Sequence, residues 1–92
     1  MPITAEKTVI DLKHDAIRAA WTTISRFDGD REIFRVLEAV RCLDYIFSAA
    51  LRPALQRVRD GLCAGNTAAR RAAVAIAVED IEVYLRRWGY LA

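Results

Sequence analysis

Glycine and proline, the residues that most readily interrupt a helix, fall only at the joints of this chain. Gly29, Gly61, Gly65 and Gly89 lie between runs in which apolar residues recur every three or four positions, and Pro53 is the one proline away from the N-terminal Pro2. Within a helix a glycine costs about 1 kcal/mol relative to alanine and a proline about 3 kcal/mol. Their confinement to joints leaves long segments free to be helical, and almost no apolar–polar alternation suggests a strand. The reading is all-α: a small antiparallel up-down helical bundle of three long helical segments, four if the chain breaks at Pro53, in a single domain spanning 1–92.

The segments can be placed from their ends. The first helix is expected from about Ala5 to Phe27, capped by Thr4 with Glu6 at the positive helix end. Val9, Ile10, Leu12, Ala16, Ile17, Ala20, Trp21, Ile24 and Phe27 form its apolar face, and Lys7, Asp11, His14, Arg18, Thr22 and Ser25 its polar one. Asp28-Gly29-Asp30 is a tight turn that sends the next helix back antiparallel, with Asp28 or Asp30 as its cap. That helix carries Ile33, Phe34, Val36, Leu37, Val40, Leu43, Ile46 and Phe47 as apolar positions. Arg35, Glu38, Arg41 and Asp44 alternate in sign at three-residue steps and read as a solvated face, or as a stripe for a charged partner.

Pro53 removes an amide donor and crowds the carbonyl of Ala49, so a break or a strong kink is expected there. Leu55, Val58 and Leu62 continue the apolar set, and Gly61 suits a left-handed C-terminal cap. Asn66 or Thr67 caps the last helix, which runs to about Trp88. Alanines at 68, 69, 72, 73, 75 and 77 make its first half thin enough for a neighbour to approach closely. Gly89 followed by Tyr90 matches a Schellman stop, with Tyr90 able to pack on Leu85.

Chemistry is sparse. The glycines are isolated, which excludes a phosphate loop. His14 stands alone on a polar face and reads as a solvated surface histidine. A zinc site of His14, Cys42 and Cys63 would need three dispersed residues to converge with a fourth ligand, and the carboxylates Asp11, Asp15, Glu79, Asp80 and Glu82 lie on polar faces without a Glu-x-x-His motif. No cofactor, metal or catalytic residue is expected, and the chain reads as a non-enzyme. The two cysteines fit no metal or redox spacing and are expected as free thiols of a cytoplasmic protein. No uncharged stretch is long enough to span a membrane.

Two features point to a partner. Small and apolar residues (AVILMFWC and Gly) make up 51 of the 92 positions, or 55%, above the usual range of about 45–50%. So short a chain has little interior in which to hide them, which implies self-association or a partner groove. The second feature is arginine: 12 of the 14 basic residues are Arg, although the net charge is only +2. Arg70 and Arg71 sit in the first turn of the last helix, where the helix dipole disfavours cations, and the hairpin is expected to bring Arg57 and Arg59 to the same end. Arg86, Trp88 and Tyr90 at the C-terminus combine the residue types that dominate binding hot spots.

The expected function is a helical protein–protein interaction module: a small regulator, adaptor or inhibitor that binds a protein partner or forms a homodimer. Arg57, Arg59, Arg70, Arg71, Arg86, Trp88 and Tyr90 are its candidate partner-binding residues. The alternative is a nucleic-acid-associated protein using the arginine-rich hairpin end, against which the small net charge counts.

Overall fold

The computed structural model describes residues 8–47 and 49–91, with the backbone alone at Asp30. In that range the chain forms α1 (Val9–Ser25), a single 3-10 turn (Asp30–Glu32), α2 (Ile33–Phe47), α3 (Arg52–Leu62) and α4 (Thr67–Arg87), with no strand. It is an all-α up-down bundle of four helices.

Pro53 acts as a break. It falls in the first turn of α3, where the missing amide would have had no partner, and Arg52 N–H donates to Ala49 O at 3.3 Å in the turn before it. The second helical segment is therefore two helices, with the break where Pro53 leads one to expect it.

Each helix buries one stripe at three- and four-residue spacing, as a 3.6-residue period requires. The stripes are Ile17, Ala20 and Ile24; Val36, Ala39, Val40 and Leu43; Ala54, Leu55, Val58 and Leu62; and Val74, Ala77, Ile81 and Leu85. With Leu51 they form one core shared by all four helices, and no charged or polar residue is buried among them. Each fully buried Leu, Ile or Val contributes roughly 1.5–3 kcal/mol.

Local chemistry fixes the ends. Thr8 caps α1 in a reciprocal box with Asp11: Asp11 N–H donates to Thr8 Oγ1 at 3.1 Å and Thr8 N–H donates to Asp11 Oδ2 at 3.3 Å. The expected cap at Thr4 and first turn at Glu6 lie outside the described residues. Asn66 caps α4 as expected, its Oδ1 accepting from Ala69 N–H at 2.9 Å. Gly89 has φ +80°, and Tyr90 N–H donates to Leu85 O at 2.8 Å while Gly89 N–H donates to Arg86 O at 3.1 Å. Those two bonds are the Schellman pair.

Gly61 departs from expectation. It lies inside α3, buried, without a left-handed backbone, and Cys63 caps the helix instead. Its role is steric: a Cβ placed there would stand 2.8 Å from Cβ of Ala73. The thin first half of α4 thus finds its close neighbour in α3.

Candidate functional site

The four arginines expected at one end are drawn apart, each toward a different acceptor. Arg57 pairs with Asp80 on α4. Arg59 reaches the other way, to Asp44 on α2 at 3.4 Å, and Asp44 also lies 3.8 Å from Arg52. Arg70 Nε donates to Ala64 O at 3.0 Å, holding α4 to the preceding loop. Arg71 is bonded to the backbone carbonyl of Asp28 and lies 3.3 Å from its carboxylate, tying the start of α4 to the α1–α2 turn. Asp80 lies nine residues beyond Arg71, about 13 Å along the helix at 1.5 Å per residue. The cations at the positive end of α4 therefore have structural partners that offset the dipole cost.

The C-terminal candidates also separate. Arg86 pairs with Glu82 one turn back at 2.9 Å. Tyr90 turns in: its ring packs at 4.8 Å from His14 and edge-on at 5.3 Å from Phe47, and Arg18 Nε donates to its carbonyl at 3.3 Å. Phe47 meets Tyr84 edge-on as well, at 5.5 Å. This aromatic cluster closes one end of the bundle, and His14, expected as a solvated residue, is half-buried in it. Trp88, expected as a partner-binding residue, is 62% exposed, with its ring 6.3 Å from Tyr84.

Tyr90 meets α1 at the level of His14 and Arg18, so the first turns of α1 extend beyond the end of α4. There the expected apolar face is uncovered: Val9 is 81% exposed, and Ile10 and Leu12 are exposed too. Val9, Leu12 and Lys13 form one wall of a groove of about 1110 Å³. Glu38, Arg41, Cys42, Asp44, Tyr45 and Ile46 of α2 form the other. The groove is broad and open along its length, unlike the concave sites that enclose most of a small ligand. Its rim carries two cations, Lys13 and Arg41, and two carboxylates, Glu38 and Asp44. A second, smaller groove on the far side of α2 is lined by Phe34, Leu37, Glu38, Arg41 and Arg59.

The outer face of α2 separates the two. Phe34, expected as an apolar position of the second helix, is 82% exposed, and Tyr45 is 87% exposed. Sequence reasoning passed over Tyr45, although a signal was present. At about 100° per residue, Phe34, Glu38, Arg41 and Tyr45 fall within an arc of about 60°, opposite Val36, Val40 and Leu43. Two large aromatics on the side away from a helix's own core stripe mark a face with something to meet.

Both cysteines are free thiols. Among the described residues no three His, Cys, Asp or Glu side chains gather as a metal would require, and no helix is long and apolar enough to cross a membrane. Comparison with known protein families, with curated proteins and with solved structures finds no match.

Proposed function

We propose that this chain is a non-enzymatic protein–protein interaction module, a small cytoplasmic regulator or inhibitor that works by covering its exposed α1–α2 face with another polypeptide. One observation carries the reading. Val9, Leu12, Phe34 and Tyr45, four large apolar or aromatic side chains, stand in solvent along two adjoining grooves while the core beneath them is complete. Single exposed apolar residues are ordinary, but a row of them beside a groove with a polar rim is the anatomy of an interface. The balanced charge of the rim suits a protein partner better than a polyanion, which would meet as many carboxylates as cations. The paired arginines weaken the nucleic-acid alternative for the same reason.

The test is site-specific photo-crosslinking in the native host, with a photoreactive phenylalanine analogue at Tyr45 and, as control, at Gln56 on the exposed side of α3. The expected result is a discrete higher-mass adduct from position 45 and none from 56. Equal, diffuse labelling at both positions would overturn the reading.

A further inference from the structure

The face of α2 is complementary to itself. Phe34 and Tyr45 lie equally far on either side of the midpoint between Ala39 and Val40, and so do Glu38 and Arg41. All four are exposed and share one narrow stripe. Neither Glu38 nor Arg41 makes an ion pair or side-chain hydrogen bond among the described residues, whereas Asp44, Arg52, Arg57, Arg59 and Arg71 all do. Arg35, Glu38 and Arg41 are the charges left uncommitted on this helix, and the two nearest its midpoint, Glu38 and Arg41, are of opposite sign and flanked by its two exposed aromatics.

An isologous interface brings the same patch from both copies together, so each contact occurs twice, once on either side of the two-fold axis. If two such helices pack antiparallel about the Ala39–Val40 midpoint, Phe34 of one copy falls opposite Tyr45 of the other. Glu38 of one copy then falls opposite Arg41 of the other. A parallel pairing would set Phe34 beside Phe34, Glu38 beside Glu38 and Arg41 beside Arg41, placing like charges together at the centre. Charge therefore selects the antiparallel arrangement.

The grooves agree with it. The larger one adjoins Tyr45, where Phe34 of the second copy would arrive, and offers it Val9, Leu12 and Ile46. The smaller one adjoins Phe34, where Tyr45 of the second copy would arrive, and offers Leu37 and the stem of Arg59. A stable interface buries about 800 Å² per partner, and two aromatics at roughly 150–250 Å² each supply close to half of that. Val9, Leu12, Glu38 and Arg41 border the remainder.

We propose that the chain forms a two-fold homodimer in which α2 packs antiparallel on α2 of a second copy, Phe34 against Tyr45 and Glu38 against Arg41. This rests on the reading of the α1–α2 face as an interface, and it names the partner as a second copy of the chain.

Sedimentation equilibrium over micromolar concentrations tests it on four proteins: wild type, Glu38→Arg, the swap Glu38→Arg with Arg41→Glu, and Phe34→Ala. Glu38→Arg puts like charges together at two symmetric contacts, so the dimer dissociation constant rises about tenfold or more. The swap restores both contacts with the signs exchanged and brings the constant back toward wild type. Phe34→Ala, at a position outside the core, keeps its helical circular dichroism and weakens the dimer about tenfold or more. A dimer indifferent to Glu38→Arg, or one that the swap does not rescue, overturns the proposal. So does a wild-type chain that stays monomeric. In that last case, a photo-crosslink from Tyr45 to a different polypeptide leaves the interaction reading standing and removes only self-pairing. No crosslink at all removes both.

Discussion

Gly61 and Ala73 meet where α3 crosses α4, with so little room that a methyl group on Gly61 would stand 2.8 Å from the Ala73 side chain. The backbone beside it, at Ala73 C and Val74 N, would be 3.4 Å away. Replacing a helical glycine by alanine ordinarily stabilises by about 0.5–1 kcal/mol. Here the sign reverses. Gly61→Ala is expected to destabilise by about 1–3 kcal/mol through overpacking, lowering the thermal midpoint. Adding Ala73→Gly moves the methyl across the contact and recovers part of the loss, so thermal unfolding of the four-member cycle gives a coupling of opposite sign to the single change. A stabilised Gly61→Ala variant would show that the helices do not approach this closely.

Arg71 offers a second reversal of sign. By the helix dipole alone, removing a cation at the fifth residue of α4, just past its first turn, stabilises by no more than about 0.3 kcal/mol. Arg71 also ties that end of the helix to Asp28, with both groups well exposed, so the pairing is worth no more than about 1 kcal/mol with its backbone bond included. Arg71→Ala is expected to leave stability unchanged or lower it by up to about 0.5 kcal/mol. A clear rise in the urea midpoint would mean that the dipole wins.

The C-terminal aromatics are expected to divide sharply. Tyr90→Ala opens the cluster with His14 and Phe47 and costs about 2–3 kcal/mol, below the fully buried aromatic range because the ring is only half-covered. Trp88→Ala, two residues earlier, removes an exposed ring and stays within about 0.5 kcal/mol. Chemical denaturation of both variants checks the contrast. Equal costs would contradict the inward turn at Gly89.

Asp44 is the polar hinge of α2 and α3. It receives Arg59 and Arg52, two turns apart on α3, and its Oδ1 is shielded from solvent without a hydrogen-bond partner of its own. Asp44→Ala leaves Arg59 unpaired and is expected to cost about 1–2 kcal/mol, with little salt dependence because the carboxylate is partly shielded. A loss that vanishes in high salt would place the pair in open solvent.

Much of the candidate face was written in the sequence but read the wrong way. The solvated ladder of Arg35, Glu38, Arg41 and Asp44 was legible, and Glu38 and Arg41 are indeed outward. Phe34 counts among the apolar positions of this helix by residue type alone, although its angle sets it opposite Val36 and Val40. The arginines misled for a different reason. Asp28, Asp44 and Asp80 lie 43, 15 and 23 residues from the arginines they hold, and no local rule pairs residues so far apart.

The amino-acid order by itself determined the helices and where they stop: the break at Pro53, the Asn66 cap and the left-handed turn at Gly89 are settled by backbone sterics and hydrogen bonds within a few residues. Which apolar residues are sheltered was decided only in three dimensions. Ile17 and Val9 share the apolar side of α1, yet one is wholly buried and the other stands in water, because α4 closes over the helix only as far as His14 and Tyr90. A stripe's angle is local; the reach of the neighbour that covers it depends on how all four helices pack.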